Sequence, residues 1–402
     1  MNSILSGKKI LFGISGSIAV YKTAEWVREL TKAGVDVTVV MTEAATRFVS
    51  SLTFATFSGN RVYTGMFEPD AGENIPHISL AKECDLFVIA PATAQTIAKL
   101  AGGFADNLLS SLALANRARM MVFPAMNTNM YCHGATQANL ARLEEYGYTV
   151  VRPDEGELAC GEVGIGRLVE WEEARETILS AFAPQDLEGR TVLVTAGPTF
   201  EPFDPARHLS NRSSGKMGFA LARMARRRGA KVILISGPTS SKRPSGVKTI
   251  PVTTGLQMHD AVMDNYGDAD IVIMAAAVSD YRPVKVVEQK IKKGSDLSNL
   301  ELVPNPDILK ELGNRKKQES RPLLVGFAAE SREHLEEGKR KLKEKNLDLI
   351  VINDIIGPGT GFGSDTNQVS LMDRDYNIEK LPLLSKEECA YLILDTIVKL
   401  IQ

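Results

Sequence analysis

Two short apolar runs, each followed by a Pro-Ala turn, constrain the fold of this chain most strongly. Residues 86–90 lead into one turn at Pro91, and residues 120–123 lead into the other at Pro124. Continuous apolar runs of this length are typical of strands that are covered on both faces in a parallel sheet. Because ligands of open α/β folds bind at the carboxyl edge of the sheet, we predict a site where the two turns meet.

Each half of the chain begins with a strand and a glycine turn. Residues 8–19 carry this pattern into a helix, and a second strand is predicted over residues 35–41, which completes a βαβ unit. Residues 189–199 repeat the strand and the turn. A chain of 402 residues also exceeds one ordinary core. We therefore predict an α/β protein with two tandem doubly wound, Rossmann-like domains, residues 1–186 and 187–402.

The composition excludes several classes of function. The formal net charge is −2, which gives no basic field for nucleic acid, and no apolar run approaches the roughly 18–20 residues of a membrane span. The cysteines Cys84, Cys132, Cys160 and Cys389 have no CxxC spacing, which indicates a reducing compartment rather than a disulfide framework or a zinc site. We therefore expect a cytoplasmic protein that binds neither nucleic acid nor a membrane.

The turn Gly13-Ile14-Ser15-Gly16-Ser17 is the first candidate binding element. Main-chain N–H groups at the start of the following helix, together with the Ser15 and Ser17 hydroxyls, would suit a phosphate. The turn is not a full GxGxxG fingerprint, and no convincing ribose-binding acid follows where one would be needed. This pattern favours a mononucleotide such as FMN over NAD, with a plain tight turn as the alternative.

Three polar residues of the first half are candidates that the pattern alone does not decide. His77 follows Pro76, and a lone histidine is more often structural than catalytic. Asn127 follows the second Pro-Ala turn, where asparagine is commonly just a turn residue. Cys160 lies in the glycine-rich residues 155–166, which have no apolar period and are predicted to form a mobile loop. A thiol on such a loop acts as an acid or nucleophile only where its pKa is tuned.

The second half carries two further candidate elements. Residues 211–218 precede a predicted helix and form a capped, anion-binding turn in one interpretation and a simple N-cap in the other. Lys290, Lys292 and Lys293 alternate, so in an extended segment they would face one way, as a phosphate clamp requires. A solvated charged loop is the other interpretation of these lysines.

The order of these motifs resembles two known families. The first half is similar to FMN-dependent cysteine decarboxylases in its motifs Gly16-Ser17-Ile18-Ala19, His77, Ala90-Pro91-Ala92-Thr93-Ala94, Pro124-Ala125-Met126-Asn127 and Ala159-Cys160-Gly161. The second half is similar to phosphopantothenate–cysteine ligases in its motifs Ala275-Ala276-Ala277, Lys290-Ile291-Lys292-Lys293, Asn305-Pro306-Asp307 and Gly326-Phe327-Ala328. Together the two sets resemble the bacterial bifunctional enzymes of coenzyme A biosynthesis.

For the first half, the resemblance implies decarboxylation of 4′-phosphopantothenoylcysteine to 4′-phosphopantetheine. FMN would oxidise the cysteine thiol to a thioaldehyde, carbon dioxide would leave, and the reduced flavin would return the electrons. His77 would be the base of the oxidation, Asn127 would hydrogen-bond the substrate carboxylate, and Cys160 would protonate the enethiol. The implied FMN contacts are Gly16, Ser17, Ile18, Thr42, Pro91, Ala92 and Thr93.

For the second half, the resemblance implies ligation of cysteine to 4′-phosphopantothenate with CTP and Mg²⁺, through an acyl-cytidylate. Asn211 would orient the acyl-cytidylate for attack by cysteine, and Lys290 would offset phosphate charge. No metal ligands are implied. The implied CTP contacts are Ala275, Ala276, Ala277, Asp280, Lys290, Asn305, Pro306, Asp307, Ile308, Phe327, Lys341 and Lys345.

The resemblance also implies a homo-oligomer, with trimeric decarboxylases and dimeric ligases that combine up to a dodecamer. Three alternatives are a flavin-binding regulatory protein of the same fold, a prenyltransferase that modifies flavin, and a tandem NAD(P) oxidoreductase. The combination of His77, Asn127 and Cys160 disfavours the regulator. Cys160 and the second half disfavour the prenyltransferase, and the incomplete dinucleotide fingerprint disfavours the oxidoreductase.

Overall fold

A computed structural model describes residues 2–66, 76–159, 161–291, 300–316, 321–330, 334–354, 361 and 363–401. The chain forms two compact units, Met1–Phe182 and Ala183–Gln402, called here the N-terminal and C-terminal units. Within the described ranges, no helix combines the length and the apolar character that a membrane span requires.

The elements of the N-terminal unit alternate along the chain. Its strands are β1 (Lys9–Ile14), β2 (Asp36–Met41), β3 (Val62–Tyr63), β4 (Leu86–Ala92), β5 (Arg119–Pro124), β6 (Thr149–Val150), β7 (Asp154–Glu157) and β8 (Val163–Arg167). Its helices are α1 (Asn2–Leu5), α2 (Val20–Lys32), α3 (Glu43–Thr46), α4 (Ser51–Ser58), α5 (Pro76–Glu83), α6 (Ala94–Gly102), α7 (Leu108–Ala115), α8 (Thr128–Cys132), α9 (Gly134–Glu145) and α10 (Trp171–Phe182).

The first six strands form one parallel sheet in the order β3-β2-β1-β4-β5-β6. Its two faces bury different residues of the same strand, because successive side chains point to opposite sides. Ile10 and Phe12 pack with Trp26 of α2 on one face, whereas Leu11 packs with Leu109 of α7 on the other. Helices thus cover both faces, and the predicted doubly wound α/β fold is confirmed for this unit.

The glycine-rich segment predicted as a mobile loop contains a β-hairpin, so that prediction was wrong for its strands. β7 and β8 pair antiparallel, with Gly156 opposite Gly164. The hairpin packs closely on the turn after β5, because a Cβ at Gly166 (φ 137°) would lie 2.2 Å from the carbonyl oxygen of Met126. β7 contains only charged residues and glycine, and β8 has just two apolar residues, Val163 and Ile165, beside glycines, so the pattern was too weak to reveal the hairpin. Cys160, between the two strands, lies outside the described residues.

The C-terminal unit repeats the architecture with additional strands. Its strands are β9 (Thr191–Ala196), β10 (Phe200–Asp204), β11 (Arg207–Ser210), β12 (Lys231–Ser236), β13 (Lys248–Pro251), β14 (Ile271–Met274), β15 (Tyr281–Pro283), β16 (Leu302–Pro304), β17 (Leu323–Glu330), β18 (Leu349–Asp354), β19 (Thr366–Asn367), β20 (Val369–Asp373), β21 (Ile378–Lys380) and β22 (Leu384–Ser385). Its helices are α11 (Lys216–Arg227), α12 (Gly255–Asn265), α13 (Ile308–Lys316), α14 (His334–Glu344) and α15 (Lys386–Ile401), with a 3₁₀ turn at Tyr266–Asp268.

The main sheet of this unit has the order β13-β12-β9-β14-β17-β18-β20-β21. The first six strands in this order are parallel to one another. β20 and β21 add an antiparallel edge that the sequence pattern did not predict. Val194 and Phe219 lie in the core cluster on one face, and Leu193 and Met258 lie in the cluster on the other. The second predicted α/β fold is therefore confirmed as well.

Candidate functional site

The residues predicted to bind flavin lie at the carboxyl ends of three neighbouring strands, β2, β1 and β4. Thr42 follows β2 and caps α3, because its hydroxyl accepts a hydrogen bond from the main-chain N–H of Ala45 at 3.3 Å. Thr93 follows β4 and caps α6 in the same way, through the N–H of Thr96 at 3.3 Å. Residues 16–18 form the turn between them, after β1. The chain thus brings these positions to one edge of the sheet.

The turn after β1 depends on glycine at position 16. A Cβ there would lie 2.5 Å from the Cβ of Ala44, so a larger residue would displace α3 from the turn. α2 begins at Val20 after Ala19, whose methyl group cannot cap the helix. Ser17 serves the first N–H groups of this turn, because its hydroxyl accepts from Ala19 at 3.3 Å and its carbonyl accepts from Val20 at 3.0 Å. The start of α2 thus lies at the carboxyl edge, where helix N-termini of open α/β folds bind phosphates.

Ser15 has a different role from the predicted phosphate contact. It is only 1% exposed, its hydroxyl donates to the carbonyl of Pro91 at 2.7 Å, and it accepts from the N–H of Thr93 at 2.9 Å. The carbonyl of Ala92 in turn accepts from the N–H of Ala125 at 3.0 Å. Residues 91 and 92 therefore shape the edge through main-chain contacts within the protein.

The side chain of Asn127 forms a hydrogen bond with the β7–β8 hairpin. Its Oδ1 accepts from the N–H of Asn129 at 2.8 Å at the start of α8, and its Nδ2 donates to the Glu162 carboxylate at 2.7 Å. Glu162 was not identified from the sequence, since no motif links two residues that are 35 positions apart. Of the other predicted catalytic residues, His77 lies in α5 with its side chain outside the described part, and Cys160 lies outside it entirely.

In the C-terminal unit, a cavity of about 500 Å³ lies at the carboxyl edge of the sheet, where β14 and β17 run into loops. It brings together the residues predicted for the ligase with the exception of Lys290, and they come from several separate segments. Those that line it are Asn211, Ala275, Ala276, Ala277, Asp280, Asn305, Pro306, Asp307, Ile308, Phe327, Lys341 and Lys345. Lys290, which the structure describes, does not line this cavity.

Hydrogen bonds between side chains and loops fix this arrangement. Asn211 donates from Nδ2 to the carbonyls of Ala277 and Val278 at 3.1 and 3.2 Å. Asn305 donates from Nδ2 to the carbonyl of Ser279 at 2.8 Å, and so holds the loop after β14 against the start of α13. These hydrogen bonds hold the side chains of Asn211 and Asn305 against the loop that follows β14.

An ion pair lies at the C-terminal end of α14. Lys345 Nζ lies 2.9 Å from Asp307 Oδ2, which ties the end of that helix to the loop before α13. Lys341 lies one helical turn earlier and lines the same cavity. Two lysines therefore line a space in which a nucleoside triphosphate would need compensating charge.

The turn before α11 is not capped as the sequence suggested. The N-cap position is Gly215, which has a φ of 75° and no side chain to offer. Three residues on, a Cβ at Gly218 would lie 2.6 Å from the Cβ of Ala196, so α11 approaches β9 closely. Lys216, Met217 and Gly218, the first residues of α11, line the cavity, and the positive end of the helix dipole favours an anion there.

Two further lysines lie at this end of the cavity: Lys216 was predicted only as part of the turn 211–218, and Lys386 was missed. Lys216 Nζ donates to Asp365 Oδ1 at 2.6 Å, and Lys386 Nζ donates to the carbonyl of Ser364 at 2.5 Å. Burial lowers the pKa of Lys386, and the charge of Lys216 lowers it further. Asn353 contributes a buried Oδ1 to which no described residue donates. Nothing in the local sequence around Lys386 distinguishes it from an ordinary first residue of a helix.

Lys290 lies outside the cavity, but hydrogen bonds hold the main chain of its neighbour Ile291. The main-chain N–H of Ile291 donates to Asp204 at 3.3 Å, and the carbonyl of Ile291 accepts from Arg207 at 3.0 Å. Hydrogen bonds from Arg207 lower the pKa of the buried Asp204 carboxyl to about 2. Lys290 itself is exposed, and Lys292 and Lys293 lie outside the described residues.

No cluster of three or more histidine, cysteine or acidic side chains within the described residues could hold a metal ion by itself. Mg²⁺ commonly keeps several waters and binds through one or two carboxylates and the phosphates of a nucleotide. Asp280 on the cavity wall is a carboxylate of the kind that such a site uses.

Comparison with known proteins identifies the family. Residues 187–401 match the family described as DNA/pantothenate metabolism flavoprotein C-terminal domain, and residues 2–183 match the family described as Flavoprotein. The Coenzyme A biosynthesis bifunctional protein CoaBC of Bacillus subtilis is 45% identical over 99% of this chain and 98% of its own length. The protein of that name from Vibrio cholerae is 47% identical over 98% of each. The chain belongs to the CoaBC family.

Membership of the CoaBC family confirms the prediction of a bifunctional decarboxylase and ligase of coenzyme A biosynthesis, and does not favour a regulatory protein. The Flavoprotein match supports a flavin in the first half. Among solved structures, the C-terminal domain of a CoaBC protein is 40% identical and covers 54% of this chain and 98% of that chain, with a TM-score of 0.46.

Proposed function

We propose that residues 187–402 ligate cysteine to 4′-phosphopantothenate with CTP, and that residues 1–186 decarboxylate the product with FMN. The convergence of the predicted nucleotide residues on one cavity carries this proposal. In the ligase, the carboxylate of 4′-phosphopantothenate attacks the α-phosphate of CTP, pyrophosphate leaves, and an acyl-cytidylate forms. The amine of cysteine then attacks the acyl carbon, CMP leaves, and 4′-phosphopantothenoylcysteine results.

The cavity suits two anionic substrates. Lys341, Lys345 and the N-terminus of α11 offset the phosphate charge as it shifts during the transfer. Asp280 would share Mg²⁺ with the phosphate oxygens. Both amide N–H groups of Asn211 have carbonyl acceptors, so its Oδ1 is the group that accepts a hydrogen bond from the attacking amine.

In the decarboxylase, the carboxyl edge of the N-terminal sheet would hold FMN, with the phosphate at the start of α2 and the turns after β2 and β4 beside it. FMN would supply the two-electron oxidation of the substrate thiol and its later reversal. His77 would take a proton in the oxidation, Asn127 would bind the carboxylate that leaves as carbon dioxide, and Cys160 would return a proton to the enethiol.

We also propose a homo-oligomer in the cytoplasm, trimeric through the decarboxylase and dimeric through the ligase. Apolar side chains beside the turn after β1 are exposed, including Ile18 at 55% and Tyr21 at 61%, and a neighbouring subunit would cover them. The thiols of Cys84, Cys132 and Cys389 are free, which suits a reducing compartment. Sedimentation of the flavin-loaded protein tests the assembly, since a monomer would contradict it.

The ligase proposal is tested by following the nucleotide. Protein incubated with 4′-phosphopantothenate, Mg²⁺ and CTP but no cysteine should release pyrophosphate, and addition of cysteine should release CMP. The variant Asn211→Ala should keep the release of pyrophosphate and lose most of the release of CMP. Release of pyrophosphate from ATP alone would overturn the assignment of CTP, and release from neither triphosphate would overturn the ligase mechanism.

A further inference from the structure

The amide of Asn127 is oriented by two contacts of opposite kind. Its Oδ1 accepts from the N–H of Asn129 at 2.8 Å, so its Nδ2 points the other way, where it donates to Glu162 Oε2 at 2.7 Å. The amide N–H groups are the only donors of this side chain, and a substrate carboxylate would have to use them. Glu162 therefore already accepts from one N–H of the amide that the proposed function gives to the substrate.

The fold holds Glu162 in this place. Its carbonyl accepts from the N–H of Leu158 at 2.8 Å within the hairpin. The hairpin is fixed to the turn after β5, because the N–H of Met126 donates to the carbonyl of Gly166 at 2.9 Å. Gly164 packs on α8, where a Cβ would lie 2.4 Å from Thr128 Oγ1. The approach of the carboxylate to Asn127 thus follows from a docked hairpin.

A substrate carboxylate and the Glu162 carboxylate would repel each other if both accepted hydrogen bonds from the Asn127 amide nitrogen. Two carboxylates on one amide nitrogen would stand about 4–6 Å apart, a distance at which like charges disfavour each other's ionised form. The exchange of one carboxylate for the other, by contrast, keeps the donor satisfied and keeps one negative charge at the site throughout.

We propose that Glu162 is a specificity-determining residue of the decarboxylase, which competes with the substrate carboxylate for Asn127. This inference rests on the proposed function. Binding of 4′-phosphopantothenoylcysteine releases the Glu162 side chain from Asn127. When carbon dioxide has left, the product has no carboxylate, and Glu162 returns to the amide. The competition therefore weakens binding of the substrate but does not change binding of the product, and it excludes weakly bound anions from Asn127.

The test compares two substitutions in the same hairpin of the full-length, flavin-loaded protein. Glu162→Gln keeps the size and an acceptor oxygen but loses the charge that strengthens the hydrogen bond. Glu157→Gln removes a charge from exposed Glu157 on β7 and serves as the control. The readouts are the KM for release of carbon dioxide from 4′-phosphopantothenoylcysteine and the inhibition constant of 4′-phosphopantetheine, with melting temperature and flavin absorbance as checks on folding.

We expect Glu162→Gln to lower the KM about threefold to tenfold, with the inhibition constant of the product unchanged and the control like wild type. If Glu162→Gln does not fold, Glu162→Ala makes the same prediction. A KM that is unchanged or raised would show that Glu162 only orients Asn127 and would overturn the inference while the proposed function stands. Wild-type protein that releases no carbon dioxide would overturn both.

Discussion

The hydroxyl of Ser15 accepts a hydrogen bond from the main-chain N–H of Thr93 at 2.9 Å, although the two residues are 78 positions apart. The same hydroxyl donates to the carbonyl of Pro91 at 2.7 Å. One buried side chain thus joins the turn after β1 to the turn after β4. These are two of the three turns that carry the residues proposed to bind FMN, so their spacing depends on a residue that need not touch the flavin.

The variant Ser15→Ala should weaken flavin binding. It leaves the N–H of half-buried Thr93 and a carbonyl lone pair of buried Pro91 without this partner, at a cost of about 1–3 kcal/mol, which would raise the Kd for FMN about tenfold. Fluorescence titration of the apoprotein measures this. Ser58→Ala is the control, since Ser58 is also buried and donates to a carbonyl, that of Phe54 at 2.9 Å, away from both turns. Equal loss of FMN affinity in both variants would contradict the account.

The variant Gly218→Ala should destabilise the C-terminal unit. The added Cβ would lie 2.6 Å from the Cβ of Ala196 and 2.9 Å from the carbonyl oxygen of Thr195, and neither atom belongs to a flexible side chain. α11 would have to move away from β9, at a cost of about 1–3 kcal/mol in the free energy of unfolding. Denaturant titration measures this, with Gly267→Ala as the control because nothing lies within 4 Å of its added Cβ. Equal stability of the two variants would show that α11 accommodates the methyl group.

The variant Lys345→Met should raise the KM for CTP about tenfold, because it removes an ammonium group that lines the cavity and lies 2.9 Å from Asp307. Pyrophosphate release at varied CTP concentrations measures the change. Lys343→Met is the matched control: Lys343 lies two residues earlier, at the end of α14, is exposed and does not line the cavity. A KM that rises equally in both variants would indicate a general effect of charge rather than a contact.

The stability of the C-terminal unit should depend on the protonation of His259. Burial lowers the pKa of this imidazole, but hydrogen bonds to Asp260 and Glu311, each at 2.9 Å, outweigh that effect and raise the pKa above 6.5. A raised pKa in the folded state means that protonation stabilises the fold at low pH and that this contribution is lost as the pH rises through the folded pKa.

His259→Gln should therefore reduce the free energy of unfolding more at about pH 5.5 than at about pH 9. Urea titrations of wild type and variant at the two pH values measure the difference. A loss of the same size at both values would mean that the imidazole contributes only neutral hydrogen bonds.

The strands and turns that position the sites were predictable because their signals are local. Residues 86–90 are apolar throughout because both faces of β4 are covered, and the glycine turn after β1 leads into α2. The glycine turn after β9 leads instead into β10 and β11, which the sequence pattern did not predict. The resemblance then supplied roles that no spacing could give. The cavity of the C-terminal unit brings most of those residues together, which local patterns alone do not require.

The rest depends on contacts between distant residues. Lys216 and Lys386 are 170 positions apart, and their approach at one cavity follows from the packing of α11 against α15. In the hairpin near Asn127, β7 has no apolar residue and β8 has only Val163 and Ile165 beside glycines, so the pairing of the two strands is what reveals it. Ser15 looked like a ligand contact because its hydroxyl follows a strand, and only the position of β4 shows that it is used internally.

Product analysis by mass spectrometry tests the central claim most directly. Purified protein with bound FMN would be incubated with 4′-phosphopantothenate, cysteine, Mg²⁺ and either CTP or ATP. We predict 4′-phosphopantetheine, CMP and carbon dioxide with CTP, and consumption of 4′-phosphopantothenoylcysteine without release of 4′-phosphopantetheine in the variant Cys160→Ser. Wild-type protein that stops at 4′-phosphopantothenoylcysteine would contradict the decarboxylase half of the account, and absence of nucleotide turnover would contradict the ligase half.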